Sequence, residues 1–187
     1  MDADLVIRAQ GGDREAFERL ATSSVGRLHA VAWSILGDAM LAEDATQQAL
    51  LSIWRDLPSL RDPARFEAWS YRLVVRACYA ERKRSPRWIP NIDALTGVEA
   101  IAPDTVGLVD ERDRLERGFR RLPFDQRAVV VLHNVVDLPI DRVAEVLGIP
   151  SGTARSRLNR GMQTLRAALA ADARSSVLDA SPQETGR

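Results

Sequence analysis

The segment from Leu138 to Leu165, LPIDRVAEVLGIPSGTARSRLNRGMQTL, decides the fold of the C-terminal part of the chain. It predicts two helices, because apolar residues recur at helical spacing on both sides of a break at Gly148. So short a turn projects the second helix outward, as in a helix-turn-helix. Between Ser151 and Ala171 this second helix has four arginines and no carboxylate. Because guanidinium groups pair with guanine edges and with phosphates, the pattern favours DNA as the partner.

Charge is distributed unevenly along the chain, which has 187 residues with 26 basic and 26 acidic side chains. Residues 68–87 contain six basic side chains and one acidic side chain, and residues 151–171 form the second basic island. Net neutrality is therefore an average over two basic islands in an acidic body. The acidic remainder is either a surface for a basic protein partner or ordinary solvated surface, and a basic stripe also occurs on solvated faces of helical bundles.

Other residue patterns exclude several classes of protein. Cys78 is the single cysteine, so it forms no internal disulfide, and its apolar helical surroundings predict a packing role. His29 and His133 lack the paired spacing of a zinc site. Adjacent carboxylates at Glu43 and Asp44 diverge on a helix, which argues against acid–base catalysis. No apolar run is long enough to span a membrane, and the N-terminus lacks signal-peptide regions. We expect a cytoplasmic protein that is not an enzyme, needs no metal or cofactor and does not insert into membranes.

Helical periodicity dominates the chain and predicts an all-α fold. Asp13 is placed to cap the first long helix, Gly37 interrupts it, and Pro58 closes the next one. A further helix is predicted from Phe66 to Arg84, and helicity resumes at Asp110 after a segment rich in proline and glycine. The predicted organisation is two small helical domains, residues 1–86 and 110–171, joined by a flexible linker, residues 87–109, and followed by a disordered tail, residues 172–187.

Four segments, in order, resemble the parts of a bacterial sigma factor of the sigma-70 family. GDREAFERL (residues 12–20) resembles the opening of region two, and AEDATQQALLSIWRDL (residues 42–57) resembles the family's clamp-binding helix. FEAWSYRLVVRACYAERKR (residues 66–84) resembles the part that opens and reads the −10 element. Residues 122–166, which include the helix-turn-helix, resemble region four, which reads the −35 element. The resemblance covers residues 4–171 and leaves no room for a third domain, which indicates the short, extracytoplasmic-function (ECF) type.

This resemblance implies that the protein binds core RNA polymerase, at its clamp and flap, and promoter DNA, without a cofactor. Taken alone, the segment from Glu43 to Asp56 is an ordinary amphipathic helix, with Leu50, Leu51 and Trp54 widening its apolar face. Gln48 also stands where the family usually has glutamate. The clamp-binding residues that the resemblance implies are Asp44, Gln47, Gln48, Leu51 and Arg55.

The resemblance also implies two sets of DNA-binding residues. The loop Leu60–Arg65 is implied to form part of a pocket for an extruded base, beside a basic helix that carries Trp69, Tyr71 and Tyr79. Trp69 lies on the apolar repeat and is expected in the core. The implied −10 residues are Leu60, Arg61, Asp62, Arg65, Arg72, Arg76 and Arg84, and Arg76 replaces an asparagine that is common in the family. The implied −35 residues are Gly152, Thr153, Arg155, Ser156, Arg157 and Arg160.

Two other functions compete with promoter recognition by a sigma factor. A stand-alone helix-turn-helix regulator would bind duplex operators as a dimer without polymerase, but it would not need the first domain and its basic island. A sigma-like protein that only sequesters another regulator would be expected to lose its basic islands, which are intact here. The resemblance leaves open whether an anti-sigma protein binds this chain.

Overall fold

The computed structural model describes residues 3–85 and 108–179, which form helices and turns and contain no strand. The predicted all-α fold is therefore confirmed. A 3-10 turn follows α3 at Leu57–Ser59, a second precedes α4 at Pro63–Arg65, and a π turn, Val131–Val135, follows α6. The α-helices are α1 Ala3–Gln10, α2 Arg14–Leu36, α3 Ala39–Asp56, α4 Phe66–Arg84, α5 Leu108–Arg120, α6 Phe124–Val130, α7 Ile140–Leu147 and α8 Ser151–Asp179.

Local capping groups set the helix boundaries of the N-terminal domain. The Asp13 carboxylate accepts a hydrogen bond from the Ala16 N–H at 3.0 Å and caps α2, as the sequence predicted. Gly37 ends α2 in the left-handed conformation, at φ 68°, which a residue without Cβ adopts at little cost. The Asp38 carboxylate then accepts from the Leu41 N–H and starts α3. Gly37 and Asp38, which are adjacent in the sequence, thus produce the sharp turn between α2 and α3.

The core of the N-terminal domain lies between α2, α3 and α4. Leu28 and Ile35 of α2 pack with Ile53 of α3 and Phe66 of α4, and each of these side chains is almost fully excluded from solvent. Cys78 of α4 is buried in the same core, which confirms its predicted packing role. Burial raises the pKa of the Cys78 thiol to about 12, so the group stays protonated and unreactive at neutral pH.

The C-terminal domain brings α8 close to α5 and α6 through two glycines. A Cβ atom at Gly161 would lie 2.8 Å from Val130 Cγ2, and one at Gly118 would lie 2.7 Å from Leu165 Cδ1. Such distances are shorter than real carbon contacts, so a larger residue at either position would require the facing side chain to shift. Leu122, Val130 and Leu165 form a small separate cluster at this contact.

Two predicted boundaries differ from the structure. The α5 helix begins at Leu108, two residues before the predicted resumption of helicity, and α8 continues to Asp179. The expectation of disorder from residue 172 is therefore wrong for residues 172–179. The Asp172 carboxylate pairs with Arg121 at 3.0 Å and with Arg117 at 3.5 Å, which ties this part of α8 to α5 and the turn after it. Most of the predicted linker and the last eight residues of the predicted tail lie outside the described residues.

The two domains pack against each other, a contact that the sequence did not predict. Phe124, Val129, Leu132 and Val143 of the C-terminal domain belong to the same buried cluster as the core residues of α2, α3 and α4. The Arg127 guanidinium crosses this contact, because its Nη1 donates to the Ile35 carbonyl at the end of α2. The two basic islands therefore lie on adjacent domains of one packed unit.

Candidate nucleic-acid and polymerase interfaces

The helix-turn-helix is built by α7 and α8 around Gly148. Gly148 adopts φ 65°, and its N–H donates to the carbonyls at the end of α7. Val143 and Ala144 of α7 and Ala154 of α8 are buried, so the two helices are fixed against each other by small apolar side chains. The predicted turn geometry is confirmed, and it leaves the opposite side of α8 facing away from the core.

All six predicted −35 residues are fully or partly exposed on α8, and five of them have few competing contacts. Arg155 pairs weakly with Asp141 at 3.4 Å, and both side chains are more than half exposed. Arg160 is exposed, and its guanidinium donates to the Ser156 carbonyl at 3.3 Å. Gly152 is exposed too, whereas Thr153 and Ser156 are half-buried. Surface ion pairs of this kind are weak and can exchange for a DNA contact.

Arg157, the sixth predicted −35 residue, is placed differently. Its Nη2 atom lies 2.9 Å from Asp125 Oδ2 at the start of α6, and its side chain is 26% exposed. The same Asp125 carboxylate accepts a hydrogen bond from the Tyr79 hydroxyl of α4 at 2.9 Å. Arg157 is therefore held against α6 and the N-terminal domain, away from the outer face of α8.

The loop Leu60–Arg65, predicted to hold an extruded base, is exposed apart from the half-buried Leu60 and Pro63. Asp62 shapes its second half: the carboxylate accepts from the Ala64 N–H at 3.0 Å and lies 3.3 Å from Arg65. Arg61, directly before Asp62, is exposed as well. The loop therefore presents two cations and one carboxylate to solvent on a short backbone turn.

The basic side chains of α4 divide into exposed and engaged groups. Arg76 is exposed, and Arg84 is exposed and pairs with Glu81 at 3.1 Å. Arg72 is half-buried and donates to the Glu145 carbonyl of α7 at 3.0 Å. The structure thus leaves Arg76 open to solvent and covers Arg72 with the C-terminal domain.

The aromatic residues near this island do not form one open surface. Tyr71 is buried in the core, so its ring is not available to stack on DNA, and burial raises the pKa of its hydroxyl to about 12. Trp69 is half-buried and packs at a tilt on Phe66, which agrees in part with its expected core position. Tyr79 stacks edge-on against Phe124 of α6, with ring centroids 4.6 Å apart. Tyr79 could therefore stack on a DNA base only after the two domains separate.

The predicted polymerase-binding residues form an exposed stripe along α3. Asp44, Gln47, Gln48 and Arg55 are exposed, and Arg55 pairs with its neighbour Asp56. Leu51 is 61% exposed. The structure brings all five predicted residues together on the solvent side of this helix.

Three exposed apolar side chains lie on this stripe, and two of them, Met40 and Trp54, were not among the predicted polymerase-binding residues. Leu51 and Trp54 were expected to widen the apolar face of α3, and Trp54 is 50% exposed and packs edge-on against Phe17 of α2. Met40, at the start of α3, is 67% exposed. Their regular helical spacing with Asp44 and Gln47 is the sequence signal that could have placed them on the stripe. Exposed apolar side chains beside polar ones are typical of a protein-binding surface.

Two residues that join the domains, Arg127 and Asp125, were not among the predicted functional residues, whereas Arg72 was. Arg127 donates to the carbonyls of Ile35, Arg120 and Leu122 at 3.1, 2.8 and 3.1 Å. Burial lowers its pKa to about 10, with a further contribution from the charge of Arg120. Asp125 is the second such residue, because it bonds both Tyr79 and Arg157.

Within the described parts of the chain, every helix is too short or too polar to cross a lipid bilayer.

Known families match both halves of the chain. The family described as Sigma-70 region 2 matches residues 20–87, and the family described as Sigma-70, region 4 matches residues 112–165. The ECF RNA polymerase sigma factor SigM of Mycobacterium tuberculosis is 34% identical over 164 residues, which cover 88% of this chain and 82% of SigM. The ECF RNA polymerase sigma factor SigW of Bacillus subtilis is 25% identical over 173 residues, which cover 86% and 92% of the two chains.

Solved sigma-factor structures have the same fold. The structure of CnrH in complex with the cytosolic domain of CnrY aligns with a TM-score of 0.68 at 25% identity, over 91% of this chain and 98% of CnrH. RpoE of Bartonella quintana, solved with the anti-sigma factor NepR, aligns with a TM-score of 0.67 at 24% identity, over 83% and 98% of the two chains. Because both regions match in order and SigM is 34% identical over 82% of its length, the chain belongs to the ECF sigma factors of the sigma-70 family.

Proposed function

We propose that the protein directs core RNA polymerase to promoters by reading the −35 element with α8 and the −10 element with the loop Leu60–Arg65 and α4. The observation that carries this proposal is the exposed outer face of α8, where Arg155 and Arg160 have only weak, exchangeable partners. The protein acts by binding alone, without catalysis, and its site of action is the cytoplasm, where polymerase and promoters meet.

At the −35 element, Arg155 and Arg160 are the proposed base readers. A guanidinium group donates to guanine O6 and N7 together, a pattern that the major groove presents for one base alone. Gly152, Thr153 and Ser156 lie at or near the N-terminus of α8, where backbone N–H groups and a hydroxyl favour a DNA phosphate. Arg157 has a different role in this proposal: it braces α8 against Asp125 of α6.

At the −10 element, the loop Leu60–Arg65 and the exposed Arg76 are the proposed contacts to the unpaired strand. Short backbone turns with cations around them suit a base that has left its stack, since the phosphates on either side are neutralised. Arg84 extends the positive surface along α4. Arg72 and Tyr79 contact the C-terminal domain, so their contribution to DNA binding depends on separation of the two domains.

Core polymerase is proposed to bind the stripe on α3. Leu51, Trp54 and Met40 supply apolar area for a buried contact, and Asp44 and Gln47 supply hydrogen bonds beside it. This mixture of an apolar centre and a polar rim is the usual anatomy of a protein interface. Because Gln48 lacks the charge of the usual glutamate, the apolar residues are expected to carry more of the binding free energy here.

An anti-sigma protein is a second proposed partner. CnrH was solved with the cytosolic domain of CnrY, and RpoE of Bartonella quintana was solved with the anti-sigma factor NepR. Both sigma factors share the fold of this chain, and we extend this kind of partner to it.

Transcription in vitro of fragmented genomic DNA, by core polymerase with and without this protein, tests the proposal. Transcripts that start at defined sites only when the protein is added would support it, and those sites would supply the promoter sequences. A protein that binds DNA but yields no new start site would instead be the stand-alone regulator, which no comparison supports.

A further inference from the structure

The N-terminal helix α1 lies beside the proposed base-binding loop, although residues 3–10 precede the span that the region 2 family matches. Val6 and Ala9 of α1 are buried in the main core, so the helix is fixed on the body of the domain. It contacts both 3-10 turns, which lie at the start and at the end of the loop. The position of α1 therefore bears directly on the shape of the loop.

Gln10, the last residue of α1, joins the helix to the loop entrance. Its Nε2 atom donates to the Leu60 carbonyl at 2.7 Å and to the Leu57 carbonyl at 3.1 Å, across about 50 residues of sequence. The Leu57 carbonyl also accepts from the Leu60 N–H at 3.1 Å, which closes the 3-10 turn. One amide nitrogen thus uses both of its protons to bind the two carbonyls that define the direction of the chain into the loop.

The far end of the loop is fixed by a separate group. The Asp62 carboxylate accepts from the Ala64 N–H, and the Asp62 carbonyl accepts from the Arg65 N–H at 3.0 Å. Arg61 is the single residue between the anchor at Leu60 and the anchor at Asp62. The path of the loop therefore depends on two anchors, one supplied by the loop itself and one supplied by Gln10.

We propose that Gln10 is a positioning residue for base selection at the −10 element: it holds the entrance of the loop Leu60–Arg65 in the shape that accepts an unpaired base. This inference rests on the proposed function of that loop. A pocket discriminates between bases only when its groups are held in place before binding, because a loose loop adapts to any base. Gln10 contacts no base itself, and it acts through the backbone of Leu57 and Leu60.

The test uses holoenzyme assembled from core polymerase and full-length protein, with promoters recovered by transcription of genomic fragments. Two template libraries are randomised, one at the −35 positions and one at the −10 positions. Gln10→Met keeps the unbranched stem and the helix propensity but removes both donors. Ile53→Val is the matched control, since it trims a buried core residue of the same domain and leaves the bonds of Gln10 intact. Thermal unfolding is measured for both variants.

We expect the enrichment of favoured bases at the −10 positions to fall about 5- to 10-fold in Gln10→Met, in line with the loss of one to two hydrogen bonds. The −35 enrichment should stay at its wild-type value, and Ile53→Val should change neither. In the free protein, amide hydrogen exchange of residues 60–65 should be faster in Gln10→Met than in Ile53→Val. Wild-type −10 enrichment in Gln10→Met, equal losses in both variants, or unchanged exchange of the loop would overturn the inference. Absence of any −10 enrichment in the wild-type protein would instead refute the proposed function.

Discussion

Replacement of Arg127 by methionine tests whether the two domains form one cooperative unit. Arg127 is 4% exposed and donates three hydrogen bonds to carbonyl oxygens, one of which, at Ile35, belongs to the other domain. Hydrogen bonds from a charged group contribute about 1.5–3 kcal/mol each. Burial of the charge opposes them, because a pKa lowered from 12.5 to about 10 corresponds to a cost of about 3 kcal/mol. The net loss of unfolding free energy on Arg127→Met is therefore about 2–5 kcal/mol.

Urea denaturation monitored by two signals measures this loss and its location. All four tryptophans precede residue 89, so fluorescence reports on the N-terminal part of the chain, whereas circular dichroism reports on every helix. With a dependence of about 2 kcal/mol per molar urea, the midpoint should fall by about 1–2.5 M in both signals. Arg121→Met is the control, because Arg121 is half-exposed and its ion pair with Asp172 lies within the C-terminal domain and does not cross the domain contact. A fluorescence midpoint that matches the control would refute the coupling.

The remaining predictions concern DNA contacts and pH. In selection from a randomised −35 library, Arg155→Ala or Arg160→Ala should relax the base preference at one position and cost about 1–3 kcal/mol of binding free energy. Arg157→Ala should weaken binding to all sequences alike. Unchanged base preferences in Arg155→Ala and Arg160→Ala would show that these arginines do not read bases. Arg76→Ala should reduce permanganate reactivity of the −10 strand more than it reduces promoter docking, and equal effects on both would argue against a strand contact. Burial and the hydrogen bond to Asp125 raise the pKa of Tyr79 to about 12, above its unfolded value near 10. Its contribution to stability is therefore complete below pH 10 and lost as the pH rises toward 12, and Tyr79→Phe should flatten the decline of the unfolding free energy in that window.

Helix boundaries were largely predictable from sequence because local groups set them. Asp13, Gly37 and Gly148 each act within four residues of their own position, and each has the capping or turn role that its side chain predicts. The exposed face of α8 could also be predicted from the sequence. Ala154, which is buried, and the apolar spacing of α7 define the face of α8 that packs against the core.

Contacts between distant residues could not be predicted in this way. The bonds from Gln10 to Leu57 and Leu60 join a side chain to backbone carbonyls, which leave no pattern in the sequence. The same holds for Arg127 and Ile35, which are joined across the domain contact.

Side-chain exposure on α3 and the end of α8 depended on tertiary packing as well. Leu51 and Trp54 are apolar, and only the packing of α3 on α2 and α4 decides which apolar side chains remain outside the core. Asp172 of α8 is held by Arg117 and Arg121, and these residues lie about 50 positions away.

Binding to a recovered promoter with and without core polymerase, at increasing salt, tests the central claim most directly. The exposed arginines of α8 make only a few phosphate and base contacts and the rest of the protein is acidic on balance, so the free protein should bind duplex DNA weakly at physiological salt. Core polymerase should hold both DNA-binding regions on one template, which makes the second contact effectively intramolecular. We predict little specific binding by the protein alone and a salt-resistant, strand-separated complex with core polymerase. Tight, specific binding by the free protein, to which core polymerase adds neither affinity nor strand opening, would contradict the account.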